Sequence, residues 1–141
     1  MSGQTFEGFK APAQLKISAL WAAMMFCYVY GDFFGLFTPG RLMDMNGGRM
    51  GPLGIATSTV LVGVSVLVAV PSAMVFLSLV LPPGINRWTN IALGLVYPAT
   101  VLLTVAGAPP FYLLLSGLEI ALNLAIVWYA WTWPKVQRTV D

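Results

Sequence analysis

Residues 53–81 read LGIATSTVLVGVSVLVAVPSAMVFLSLVL, an apolar run without a single charge. A bilayer's hydrocarbon core of ~30 Å is crossed by ~20 helical residues at ~1.5 Å each. The run therefore has residues to spare, and is expected to tilt or to project beyond the core. Three similar runs surround it, at 17–37, 88–108 and 111–133. Between them lie only 38–52, 82–87 and the pair Pro109–Pro110, links short enough to make successive helices antiparallel neighbours. The expected fold is all-α: a polytopic membrane protein built as an antiparallel four-transmembrane-helix bundle, one domain over residues 1–141. The first run is longer than the apolar core of a signal peptide, and Thr38–Pro39–Gly40 is no small-x-small cleavage site, so it is read as retained.

Composition agrees. The chain is 58% hydrophobic and 9% charged, against roughly a quarter charged in ordinary globular domains. Seven Lys and Arg against five Asp and Glu give +2, spread over ends and links, which leaves no basic face for nucleic acid. With no His and the single cysteine Cys27, zinc sites built from His and Cys, His-ligated haem and intrachain disulfides are excluded, and no metal or cofactor is expected. The partner that the composition does imply is the lipid bilayer.

Lys10, Lys16, Arg87, Lys135 and Arg138 fall on one side of the four runs and only Arg41 and Arg49 on the other. The first side is expected to be cytoplasmic and to carry both termini. Trp21, Trp88, Trp128, Trp131 and Trp133 cluster toward that side, as interfacial indoles would.

Several segments carry a family resemblance: Leu20, Trp21, Met25–Tyr28 and Tyr30–Asp32 in the first run; Met74–Leu79; Asn86–Trp88 with Asn90; and Val127–Trp131. With these the chain resembles an uncharacterised family of small bacterial four-helix membrane proteins. The resemblance implies a bacterial inner membrane and a four-helix fold, and transfers no functional residue.

Polar and small residues recur at helical spacing. Trp21, Met25, Tyr28, Asp32 and Gly35 form one stripe; Tyr112, Ser116, Glu119 and Asn123 another; Asn90, Gly94, Tyr97 and Thr104 a third; and Ser58, Ser65 and Ser72 step by sevens. Lipid offers such groups no partner, so the stripes are expected to face a shared interior or a subunit interface. Gly31 and Gly35 make a small-xxx-small pair suited to close helix approach. Pro71 and Pro98 both fall near mid-membrane. Each deletes a backbone donor and frees the carbonyl four residues earlier, Leu67 and Gly94, so each helix is expected either to curve simply or to border a cavity.

Asp32 and Glu119 are the charges inside the runs. A carboxylate in a bilayer costs at least a few kcal/mol and commonly marks a pathway or site. The two fall at similar depth, with Tyr28, Ser116 and Asn123 within one helical turn to supply hydrogen bonds. The expectation is a small membrane protein that binds or transports a small solute, cation or proton through a polar, outer-facing cavity whose residues are Asp32, Glu119, Asn123, Tyr28 and Ser116. A narrow four-helix protomer would complete such a path as a homo-oligomer. The alternative is an accessory or structural subunit of a larger membrane complex. No nucleophile–base pair can be drawn and no catalytic residue is assigned, although two acids leave acid–base work open.

Overall fold

The computed structural model describes residues 8–134, so Lys135 and Arg138, two of the five charges used for orientation, lie outside the described residues. Within them the chain is all-helical, without a strand: α1 (Ala13–Gly35), α2 (Arg41–Asn46), α3 (Ser58–Val80), α4 (Pro83–Thr104) and α5 (Pro110–Trp131). Three of these, α1, α3 and α5, are long and apolar enough to cross a membrane. The helix α4 stands outside that class because Asn86, Arg87 and Asn90 crowd its first turns.

The helix ends have local causes. Proline stands at the first position of α4 and of α5, where its missing N–H costs nothing and its fixed φ suits a helix. The run 53–81 is helical only from Ser58: Thr57 caps α3 by accepting from the Val60 amide at 3.3 Å. Upstream, Gly51–Leu53 forms a 3-10 turn, Gly54 takes a positive φ of 77°, and Ile55 pairs with Arg49 in an isolated bridge. The third run likewise shifts, since α4 begins at Pro83 and ends at Thr104. Asn86 closes the α3–α4 turn by donating from Nδ2 to the Ser78 carbonyl at 2.7 Å and to that of Leu81 at 3.5 Å, filling acceptors at the end of α3.

Across α1 and α5, Lys16 lies over the Tyr129 ring, Met24 meets Asn123, Gly31 meets Leu115 and Phe34 meets Phe111. Across α1 and α3, Ser18 Oγ donates to the Val75 carbonyl and Ser72 Oγ approaches Met25 Sδ at 3.7 Å. Across α4 and α5, Arg87 Nε donates to the Ala130 carbonyl, and Gly94 packs so tightly that a Cβ there would stand 2.7 Å from Val127 Cγ2. In each pair the numbering rises along one helix as it falls along the other. The helix α3 leans on α1 and meets α4 at few points. One end of the molecule thus carries the start of α1, the α3–α4 turn and the end of α5; it is called the terminal end here, and the opposite one the loop end.

Packing is uneven along this axis. Toward the terminal end Ile17, Trp21, Met24, Met74, Ile126 and Ala130 are almost completely buried. Toward the loop end the outward faces are apolar and open, with Leu61, Val62 and Val66 on α3 and Leu102 and Leu103 on α4 exposed. Buried side chains meanwhile include Ser78, Asn86, Asn90, Ser116, Glu119 and Asn123. Polar groups inside and aliphatic ones outside invert the arrangement of a water-soluble domain, as an apolar solvent demands.

Three expectations are corrected. Ser65 is exposed in the single chain, as are Ser58 and Ser72, so of the two faces expected for the serine stripe of α3 the chain's own interior is not the one it takes. Ser65 and Ser72 donate to the carbonyls of Leu61 and Val68 one turn back, and hydroxyls satisfied within their own helix need no interior partner. The inward residues of α3 are Pro71, Met74 and Ser78. Trp21 is no interfacial anchor: it is fully buried because Asn90 accepts its indole N–H. Finally, only Gly31 of the small-residue pair is buried, and a Cβ at Gly35 would meet nothing within 4 Å; the helical glycine most tightly packed against a neighbouring helix is Gly94.

Candidate functional site

The inner face of α5 runs Ser116, Glu119, Asn123, Ile126, Ala130, alternating steps of three and four that hold one stripe toward the other helices. On it Glu119 is 6% exposed and Asn123 0%. Asn123 Nδ2 donates to the Glu119 carbonyl at 2.9 Å and also faces Met24 Sδ at 2.9 Å. That carbonyl can only accept, so it sets the amide's orientation with the NH₂ group toward it. Asn123 Oδ1 is then left buried without a hydrogen-bond donor among the described residues. A buried acceptor left empty costs about 1–3 kcal/mol, which makes it a group that a donor would satisfy.

The remaining predicted residues gather around this face to different degrees. Ser116 is 3% exposed and lies one turn from Glu119 on the loop-end side. Tyr28 is half-buried on α1, and both it and Cys27 sit within Coulombic reach of Glu119. Asp32 occupies the exposed side of α1 nearer the loop end, within Coulombic reach of both Glu119 and Arg41. Tyr28 also lies near Tyr97 and Tyr112. Two open apolar grooves lie apart from this face. One of about 570 Å³ is bordered by Phe34, Phe37 and Phe111 at the loop end, the other, of about 340 Å³, by Met25, Val29 and Ser72 between α1 and α3.

A second polar assembly, at the terminal end, was not anticipated as a unit. Trp21 Nε1 donates to Asn90 Oδ1 at 2.6 Å, and Ser78 Oγ reaches the same oxygen at 3.4 Å. Asn90 Nδ2 in turn donates to the backbone and side-chain oxygens of Asn86 at 2.8 and 2.6 Å. All four residues are completely buried. In contrast to Asn123, every one of these side chains has a partner. Two asparagines one turn apart, on either side of Arg87 at the start of α4, were the available signal, since an asparagine left facing lipid has no hydrogen-bond partner. Beside this assembly, Arg87 donates to the Ala130 and Trp131 carbonyls, neutralising the negative end of α5, and stacks over the Trp88 and Trp131 rings at 5.2 and 5.6 Å.

The chemistry of the two assemblies therefore differs. The terminal-end network is internally complete and locks three helices. The face around Glu119 and Asn123 offers acceptors in excess of donors, suited to receiving a proton, a cation or a hydrogen-bond donor. No curated protein and no solved structure matches the chain. A family model does match, over residues 4–139, and is described as a family of unknown function (DUF6326). Because that match takes in nearly the whole sequence, the chain belongs to this family of unknown function.

Proposed function

We propose that the chain is a four-span antiparallel bundle of the bacterial inner membrane, both termini cytoplasmic, that binds or transports a small solute, cation or proton at Glu119. The observation that carries this reading is the buried acceptor surplus on α5, where Glu119 and the unpartnered Asn123 Oδ1 lie one turn apart. Asp32, within Coulombic reach at the loop end, extends the negative potential toward that end, and Tyr28 and Ser116 supply hydroxyls. The topology is supported by the opposed contacts of neighbouring helices and by the charge bias. Lys16 and Arg87 both lie at the terminal end, beside Tyr129 and Ala130 of α5, whereas Arg41 and Arg49 lie in the loop-end connection. The loop end is then the outer face, and the loosely packed half opens outward. In this reading α4 crosses as the fourth span by virtue of its satisfied asparagines, and a homo-oligomer completes the path.

The test uses proteoliposomes containing a trapped pH-sensitive dye and an imposed proton gradient, with and without Na⁺ or K⁺. Faster dissipation than in empty liposomes is expected, abolished by Glu119→Gln with the oligomeric size unchanged. If wild type and Glu119→Gln both match empty liposomes under every ion condition, the transport reading fails. The accessory-subunit alternative would then be met by co-migration with foreign subunits on native gels in mild detergent.

A further inference from the structure

The contacts between α3 and α4 are concentrated toward the terminal end, where Ser78 meets Asn86 and Asn90. Farther out, a hydrogen bond from the Tyr97 hydroxyl to the Leu67 carbonyl, 2.8 Å long, joins the two helices, and beyond it Leu61, Val62 and Val66 of α3 and Leu102 and Leu103 of α4 are exposed, while Val101 stays buried. The gap between them therefore widens toward the loop end from a floor at Tyr97. By helix rise, Tyr97 and Leu67 lie ~10 and ~14 Å from the loop ends of their helices, and Tyr28 and Glu119 lie at those same depths on α1 and α5. The floor of the gap and the acceptor-rich face share a layer.

The accepting carbonyl is not an arbitrary one. Pro71 lacks the N–H that would otherwise bond to Leu67, so this oxygen depends on a donor from another helix. In a dry surrounding, Tyr97 supplies that donor and ties α3 to α4 at the floor of the gap. Water entering the gap can take over the carbonyl and release the phenol. The bond is thus strong when the gap is empty and dispensable when it is wet.

We infer that the α3–α4 gap is the lateral entrance to the Glu119 layer, and that Tyr97 on the Leu67 carbonyl is the latch that closes it. This inference rests on reading Glu119 as the site, and it adds how a solute arrives there: from the side and loop end, between α3 and α4. The terminal end is shut by the T-shaped pair of Trp21 and Tyr97, with ring centroids 5.9 Å apart, and by the asparagine network.

Cys27 provides a built-in reporter, being the chain's single cysteine, 6% exposed and within Coulombic reach of Glu119. In detergent-solubilised full-length protein, N-ethylmaleimide is expected to modify Cys27 about fivefold faster in Tyr97→Phe than in wild type. That is the factor by which losing one hydrogen bond of ordinary net strength shifts an opening equilibrium. Tyr112→Phe, which removes a neighbouring phenol, is expected to leave the rate unchanged. Amide exchange in Tyr97→Phe should quicken in residues 58–70 of α3 and stay unchanged in 72–80. Wild-type labelling with unchanged exchange overturns the latch, and so does uniform acceleration across all helices, which reports general loosening. Neither measurement needs a ligand or Glu119, so flux that is absent in wild type, or that survives Glu119→Gln, removes the site without touching the outcome for Tyr97.

Discussion

The Trp21–Asn90 hydrogen bond predicts a coupling that a double-mutant cycle can measure. Trp21→Phe removes the indole donor and leaves Asn90 Oδ1, completely buried, with only the 3.4 Å approach of Ser78. The orphaned acceptor costs about 1–3 kcal/mol, and the smaller ring adds a cavity term. Asn90→Leu roughly preserves volume but strands the indole N–H and takes from Asn86 Oδ1 the donor it holds at 2.6 Å, two penalties of about 1–3 kcal/mol each. In the double variant the indole donor and its acceptor disappear together, so that bond cannot be charged twice. The double variant should therefore be less destabilised than the sum of the singles by about 1–2 kcal/mol, at the upper end of interhelical hydrogen bonds in membranes because both groups are buried and the distance is short. The assay is reversible unfolding in mixed micelles by added denaturing detergent, with each variant's unfolding free energy taken under one set of conditions. Additivity within about 0.5 kcal/mol would refute the claim that this bond ties α1 to α4.

Two further outcomes are expected. Gly94→Ala places a Cβ 2.7 Å from Val127 Cγ2 and 3.3 Å from the Asn123 carbonyl, so the steric cost of about 1–3 kcal/mol should outweigh the ~1 kcal/mol gained in helix propensity. Gly63→Ala, with open space around it, should be neutral or stabilising in the same unfolding assay; equal effects at the two sites would show that α4 and α5 are not closely apposed. For topology, a membrane-impermeant maleimide applied to intact cells should label Asn46→Cys and spare Ser2→Cys and Thr139→Cys, each in a Cys27→Ser background; labelling at either terminus reverses the orientation.

Helical class and the approximate extent of the long elements were legible because both depend on local properties. Uncharged length, prolines at helix starts and residue spacing act over a few turns, and no distant contact is needed to read them. The inner stripe of α5 was legible for the same reason. Ser116, Glu119 and Asn123 recur every three or four residues, and none of them can satisfy itself in lipid. The serines of α3 obey the same spacing and misled, because a serine can turn its hydroxyl onto its own helix whereas the side chains of Glu119 and Asn123 are too polar to be satisfied that way alone.

What the sequence determined by itself was that the chain must bury polar groups and expose aliphatic ones, since its composition allows no other distribution, and that four long helices would carry them. Only the tertiary structure decided which polar groups pair and which stay open. Trp21 finds Asn90 across 69 positions of sequence, Tyr97 finds the carbonyl that Pro71 frees on another helix, and Asn123 Oδ1 finds nothing. The reason is that hydrogen bonds between helices depend on relative rotation and depth, which are set by close approaches such as Gly94 against Val127. Spacing along one helix specifies which face a residue occupies and is silent on what the facing helix brings to meet it.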